Sequence, residues 1–317
     1  MNDKKIVVIG GGTGLSTLLK GLKLHTHNIT AVVTVADDGG SSGRLRHDLG
    51  MLPPGDVRNC VGALAEVDPL MSRLLSFRFH EGALAGHNLG NLVLAALNEM
   101  SDNFEEAVGK FNHLMGVVGR VYPVTNESLT LSAVLNDGSV INGESLIGKP
   151  HGSRRIKEVY ITPGLPKPVD GVISAIREAD IIVLGPGSLY TSIIPNLLVD
   201  GVADAIKHST AKKIYVCNIM TQPGETDDYT ASMHLDAIEK HSYPGIADAV
   251  IVNASPLPDE LARLYAEQNA YEVVTDTEIL EKKAEVIPGR LLIANNDKIR
   301  HNFNRLARII MNFRKGD

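Results

Sequence analysis

The chain has 317 residues, 44% of them hydrophobic and 21% charged, with a formal net charge of −6; this suits one large α/β domain or two smaller ones and lacks the positive excess of a general nucleic-acid binder. Its two cysteines, Cys60 and Cys217, stand in no CxxC pair, so neither a disulfide framework nor a zinc site is expected, in keeping with a reducing cytoplasm. There is no tryptophan and aromatics make up 4%, which leaves few platforms for stacking the bases of single strands.

In chain order, the first element is a short apolar run over residues 5–9, ending on glycine. It is too short for a signal-peptide core, and no stretch approaches the ~18 apolar residues of a membrane span. We expect a first β-strand, a cytoplasmic protein and no membrane insertion. Leu15, Leu18, Leu19 and Leu22 then follow the i, i+3, i+4, i+7 spacing of a helix face. Further helix stripes run over residues 89–100, 104–115 and 299–313. Strands are expected at 29–35, 156–161, 181–184, 214–217 and 249–252. Most of these runs are continuously apolar, as parallel strands buried on both faces should be. One region breaks the alternation: residues 129–135, then Asn136-Asp137-Gly138, then 139–143 read as an antiparallel hairpin. The expectation is a single α/β nucleotide-binding domain over 1–317, with a Rossmann-like, doubly wound, mostly parallel sheet and a hairpin inserted at about 117–150. Ligands of such sheets bind at the carboxyl ends of the strands, which directs attention to the loops there.

The loop after the first strand is Gly10-Gly11-Gly12-Thr13-Gly14, leading straight into the Leu15 helix. Glycines let backbone N–H groups approach phosphate oxygens, and a helix N-terminus favours negative charge. The string departs from GxGxxG because Leu15 stands where the last glycine would fall, and it lacks the lysine of a P-loop. A diphosphate site is the reading we favour over a turn that merely packs closely. After the second strand comes Asp37-Asp38-Gly39-Gly40-Ser41-Ser42-Gly43-Arg44. Asp37 lies 23 residues beyond Gly14, near the ~20 expected of an acid that grips a ribose hydroxyl, so NAD is an alternative ligand. Two adjacent carboxylates, Asp37 and Asp38, suit Mg²⁺ beside a diphosphate. Arg44 and Arg46 suit an anion. Asp37, Asp38 and Arg44 are the candidate catalytic residues.

Three more polar clusters follow. Pro53-Pro54-Gly55-Asp56-Val57-Arg58-Asn59 reads as a rigid turn opening a helix, with Asp56 either its N-cap or a catalytic group. His87, Asn88 and Asn91 open another helix, to cap it or to face a ligand. Gly185-Pro186-Gly187-Ser188-Leu189-Tyr190-Thr191-Ser192 repeats the strand, glycine turn and helix arrangement, with Ser188, Thr191 and Ser192 as ligand hydroxyls. The segment 218–226 follows a strand and is expected to complete the site wall. There is no GxSxG elbow and no HExxH, so nothing announces a covalent nucleophile.

Six strings occur in order: GGGTGLSTLLKGL, TVADDGGSSGRLR, PPGDVRN, HNLGN, LGPGSLYTSIIPNLL and CNIMTQPGETDDYTASMHL. Together they resemble the bacterial gluconeogenesis factor family (YvcK-like), in a superfamily with the 2-phospho-L-lactate transferase of deazaflavin-coenzyme biosynthesis (CofD-like). The resemblance runs from Lys5 to about Arg305. It implies a Rossmann-like fold and a nucleotide-diphosphate site. In the gluconeogenesis-factor branch it implies a UDP-sugar such as UDP-N-acetylglucosamine, and a role in cell shape and wall synthesis during gluconeogenic growth. In the transferase branch it implies a Mg²⁺-dependent transfer of a phospholactyl group. Asp297-Lys298-Ile299-Arg300-His301-Asn302 resembles the first branch's D-x-x-R-H-N segment, whose arginine is associated with UDP-sugar binding; that role passes to Arg300. The sequence leaves open whether the chain is a binding factor or a transferase. A homo-oligomer is compatible with it, and a cell-wall-synthesis protein is the expected kind of partner.

Overall fold

The computed structural model describes residues 4–295 and 298–313. Seven strands form one parallel sheet: β1 (Ile6–Gly10), β2 (Ile29–Val33), β3 (Arg120–Pro123), β7 (Ile181–Leu184), β8 (Lys212–Val216), β9 (Ala249–Asn253) and β10 (Glu285–Gly289). Their spatial order is β10-β9-β8-β7-β1-β2-β3, and every pairing is parallel. Of the inner strands, β1 and β7 are buried along their whole length, so a continuous run of Ile, Val and Leu is what both faces demand there. The two edges are β3 and β10, each carrying a proline, Pro123 and Pro288. Proline cannot donate to a ladder and belongs on such edges.

The helices α1 (Gly12–Leu22), α2 (Gly40–Leu49), α3 (Gly55–Leu64), α4 (Pro69–Ser76), α5 (Leu89–Glu99) and α6 (Phe104–Leu114) lie between β1 and β3 in the chain. A small antiparallel sheet follows, β4 (Thr130–Leu135), β5 (Val140–Asn142) and β6 (Ile156–Thr162), in the order β5-β4-β6, with α7 (Glu144–Ile147) after β5. The later helices are α8 (Asp170–Glu178), α9 (Ile194–Leu197), α10 (Val202–His208), α11 (Ala231–Lys240), α12 (Asp259–Ala266), α13 (Thr277–Leu280) and α14 (Phe303–Asn312), with one π-helical turn over Leu189–Ile193 before α9. A hairpin of β11 (Leu292–Asn295) and β12 (Lys298–His301) precedes α14. No single described helix is long and apolar enough to cross a membrane.

The expected architecture is present, with three local differences. The run 156–161 is a strand, but it pairs antiparallel with β4. Its burial alternates along Ile156–Thr162, as a strand with one face toward solvent must. The excursion therefore takes in β6, while Arg120–Pro123 belongs to the main sheet. The last helix starts at Phe303, and Ile299 sits on β12. Its buried face, Leu306, Ala307, Ile310 and Met311, packs on α1, which fixes β12 beside the loop that opens α1.

β1, β2 and β7 end level: Gly10 is opposite Val33, and Ile9 opposite Leu184. From β1 the chain crosses to β2 on one side, while β7 lies on the other. The loops after β1 and β7 thus part at a topological switch point, where open α/β sheets form their crevice.

Candidate functional site

The crevice is built from two interlocked glycine turns. In the first, β1 runs out at Gly10 and α1 begins at Gly12. Gly12 has φ +68°, a left-handed conformation that side chains rarely adopt. Gly14 lies so close to the second turn that a Cβ there would come to 2.5 Å from the Pro186 carbonyl oxygen. Bare backbone is therefore needed at Gly14 for packing of turn on turn, whatever else it does. The N-cap, Gly11, has no side chain to satisfy the opening N–H groups of α1, and the first turn carries no acid. The Asp56 carboxylate stands beside this opening turn, its Oδ1 3.9 Å from where a Cβ on Gly12 would lie, and the Gly12 N–H favours its charged form.

A cavity of about 450 Å³ opens on these turns, within the size range of small-molecule sites. Gly11, Gly12, Thr13, Gly14, Gly187 and Ser188 form one side. Asn218, Thr221 and Gln222 form the floor, as the strand-following position of 218–226 led us to expect. The far wall is Tyr265, Gln268, Arg300 and His301. Two hydrogen bonds hold β12 there: the Ile299 N–H donates to the Tyr265 hydroxyl at 2.8 Å, and His301 Nε2 meets the Cys217 carbonyl at 3.2 Å. Burial lowers the His301 pKa to about 4, so this imidazole is neutral and acts as a strut. Arg300 spends Nη1 on the neighbouring Ile299 carbonyl and makes no ion pair among the described residues. The Gln222 amide donates to Ser188 Oγ at 2.7 Å, and Asn218 donates to Gln222 Oε1. That leaves Asn218 Oδ1 buried without a donor among the described residues.

The other expected site residues lie outside this cavity. Gly10 and Gly185 are in the sheet end itself: the Gly185 N–H donates to the Ile9 carbonyl, and the Thr34 N–H to that of Gly10. Thr191 is buried and donates its hydroxyl to Glu225 at 3.1 Å. Ser41, Ser42, Asn88 and Asn91 are buried and bonded to one another or to the backbone. Asn91 Nδ2 donates to Ser41 Oγ at 3.2 Å, which also meets His87 Nδ1 at 3.2 Å. Ser42 Oγ accepts the Gly55 N–H, and Asn88 caps α5 through the Asn91 N–H. Arg44 donates to the Ala85 carbonyl, and Arg46 to that of Leu129. These polar side chains clamp α2, α3 and α5 together. Asp56, in the first turn of α3, does not cap its own helix, whose N-cap is Pro54.

Beside the glycine turns stands a group of acids. Asp37 Oδ1 accepts the Gly39 N–H, and Asp38 Oδ1 accepts the Ser145 N–H in α7. The Asp56 pKa is raised to about 6, first by desolvation and then by Asp37, against the opposing Gly12 N–H and Arg58. That of Glu144 rises to about 8, first through burial and then through Asp37, Glu225, Asp38 and Asp56. Glu225 is raised to about 7 by burial, although it accepts the Tyr190 N–H and the Thr191 hydroxyl. Sequence reading passed over Glu144, Tyr265 and Gln268 altogether, and took in Glu225 only as part of the segment 218–226. Their only signal was position, just after glycine turns or past the last clear strand. Among the described residues no three His, Cys, Asp or Glu side chains are placed to hold a metal ion. Asp37 and Asp38 are thus not part of a protein-made cage. They fit Mg²⁺ only in the manner of a cation carried by phosphates, which needs one or two carboxylates.

Fold and cleft define a Rossmann-like α/β protein whose crevice faces the N-terminus of its first helix. Residues 6–292 match the family described as 2-phospho-L-lactate transferase CofD. The chain is 47% identical to the gluconeogenesis factor of Bacillus subtilis, over 98% of each chain, and 47% identical to that of Halalkalibacterium halodurans, over 98% of this chain and 97% of that one. A crystal structure of a UPF0052-family protein from Bacillus halodurans superposes with a TM-score of 0.94 at 46% identity, covering 98% of this chain and 100% of the other. The chain belongs to the gluconeogenesis factor family, within the CofD-like superfamily.

Proposed function

We propose that the chain binds a nucleoside-diphosphate sugar, UDP-N-acetylglucosamine or a near relative, and acts as a cytoplasmic factor supporting wall synthesis and cell shape during gluconeogenic growth. One observation carries the reading: a single 450 Å³ cavity joins the N-terminus of α1, the Gly187–Ser188 turn and Arg300. The diphosphate lies on the glycine turns, where N–H groups and the helix dipole favour anions. Arg300, with no carboxylate partner among the described residues, supplies a second positive group to the cavity. The unpaired Asn218 Oδ1 suits a donor on the base or sugar. The names of the relatives support the growth role. NAD is less well supported, since Asp37, the acid meant for its ribose, is not among the cavity walls.

A Mg²⁺-dependent transferase is the second reading, favoured by the acids Asp37, Asp38, Asp56 and Glu144 beside the glycine turns. Transfer from a diphosphate needs charge neutralisation and positioning more than a nucleophilic side chain. When bound, Mg²⁺ would neutralise the diphosphate next to Asp37 and Asp56, while the protein's own N–H groups orient it. The deciding experiment is titration calorimetry with UDP-N-acetylglucosamine and with NAD, each with and without Mg²⁺, followed by product analysis. Preference for NAD would overturn the proposal. Released UDP would replace the binding factor by the transferase.

A further inference from the structure

A second cavity, of about 240 Å³, is lined by residues of α1, α3, α4 and α6 and shares none with the first. We infer that it is a binding site for a small organic anion, a phosphate monoester or carboxylate on a short hydrocarbon body. The argument rests on what lines it. Arg58 enters from α3, and of its five donors only Nε is engaged, with Asn91 Oδ1 at 3.2 Å. Its terminal nitrogens make no hydrogen bond or ion pair among the described residues. Three further polar side chains in the lining, Lys20 of α1, Asn59 of α3 and Ser72 of α4, are equally without side-chain partners there. No carboxylate lines the cavity. Burial and the nearby Arg78 make the Arg58 charge costly, and Asp56 offsets this only in part. Half-buried guanidinium groups usually find planar acceptors, because each unmet donor carries a desolvation cost.

The rest of the lining sets the class of ligand. Val67, Leu75, Phe111 and Met115 give apolar walls, so a bare inorganic ion would leave most of the space unfilled. A hydrocarbon body of a few carbons would contact these walls while its anionic head reaches Arg58 and Lys20. Two convergent cations, an amide and a hydroxyl over an apolar floor are the usual composition of a metabolite site.

The test uses the full chain and calorimetry with three probes: glycerol 3-phosphate, glycerate and inorganic phosphate. Gly62 also lines the cavity, and a Cβ there would meet nothing within 4 Å, so Gly62→Phe fills the space without backbone strain. We expect glycerol 3-phosphate or glycerate to bind the wild type with a Kd below about 1 mM; whichever binds more tightly identifies the head group. Inorganic phosphate should bind more weakly than the better organic probe. Gly62→Phe should lose at least ~10-fold, or 1.4 kcal/mol, with an unchanged melting temperature and unchanged binding of UDP-N-acetylglucosamine. Lys20→Glu, at an exposed position, should also weaken binding. Absence of binding to the wild type, or undiminished binding to both variants, overturns the inference. So does a loss that appears in Gly12→Val and not in Gly62→Phe, because the anion would then lie on the glycine turn.

Discussion

The Asp56 carboxylate stands against the opening turn of α1, its Oδ1 3.9 Å from where a Cβ on Gly12 would lie, and the Gly12 N–H favours its charged form, so a side chain from α3 stands at the N-terminus of α1, the place where a diphosphate oxygen would lie. A carboxylate there is stabilised by the same N–H groups and dipole that favour phosphate. It also repels a diphosphate entering beside it. Cation and nucleotide should therefore bind together, the cation relieving the contest between Asp56 and the ligand. Asp56→Asn should tighten Mg²⁺-free binding of UDP-N-acetylglucosamine by about 3- to 10-fold and shrink the Mg²⁺ effect, as calorimetry in chelator would register. Weaker binding by the variant would mean that Asp56 serves the ligand directly.

Gly12 and Gly14 do different work, and substitution should separate them. Gly12 has φ +68°, and a Cβ there would meet Asp56 Oδ1 and Ser192 Oγ at an ordinary 3.9 Å. Gly12→Val should cost about 1–3 kcal/mol of stability through backbone strain, place a side chain in the cavity, and lower nucleotide affinity more than 10-fold, or 1.4 kcal/mol. Gly14→Ala pushes its methyl group into the Pro186 backbone and should show chiefly as lost stability. Equal nucleotide affinity in a folded Gly12→Val protein would remove the diphosphate from this turn.

Thr191 tests the second turn. Its hydroxyl is buried and donates to Glu225, so Thr191→Val should cost stability, about 1–3 kcal/mol for the unmet acceptor on Glu225. Nucleotide affinity should stay within about two-fold, a few tenths of a kcal/mol. A large affinity loss at unchanged stability would restore Thr191 to the ligand.

What the sequence disclosed about this molecule follows from the range of the interactions involved. The strands Ile6–Gly10 and Ile181–Leu184 are apolar on both faces, a local pattern that survives folding unchanged. The edge strands Arg120–Pro123 and Glu285–Gly289 carry charges and proline, and nothing in those strings marks them as strands until their neighbours are in place. The glycine turns were visible for the same local reason as the core strands, and so was Arg300, through the resemblance. Ser41, Asn91 and Thr191 read as ligand groups because their polarity is written in the sequence. Their partners, His87, Arg58 and Glu225, are supplied only by the fold. The raised pKa values of Asp56, Glu144 and Glu225 arise from burial and mutual proximity, neither of which a linear pattern records.

Arg300 on β12 lines the same cavity as the glycine turns and has no acidic partner among the described residues. Arg300→Ala should weaken UDP-N-acetylglucosamine binding by about 1.5–3 kcal/mol, the value of a charged hydrogen bond. NAD, titrated in parallel, should be unaffected or bind too weakly to measure in both proteins. Parallel losses for both nucleotides would make Arg300 a general phosphate contact without selectivity for the UDP-sugar.

Glu144 gives the pH dependence its sign. Its pKa rises from an ordinary value near 4.5 to about 8, through burial first and then through Asp37, Glu225, Asp38 and Asp56. Between those two values the folded chain holds a proton that the unfolded chain has released, so stability falls as pH rises through this window and the full penalty is present above about 8. Glu144→Gln has no proton to lose. Relative to wild type, the variant should gain stability from pH 5 to about pH 8 and level off above it. The gain should total about 1–2 kcal/mol once the full shift is discounted for the part of the side chain that solvent still reaches. Denaturant unfolding at five pH values in metal-free buffer measures the difference directly. If the two proteins run parallel across that range, Glu144 is ionised at neutral pH and the acids beside the glycine turns are screened from one another. If the curves diverge and added Mg²⁺ brings them back together, the cation binds among these acids, the condition that the transferase reading requires.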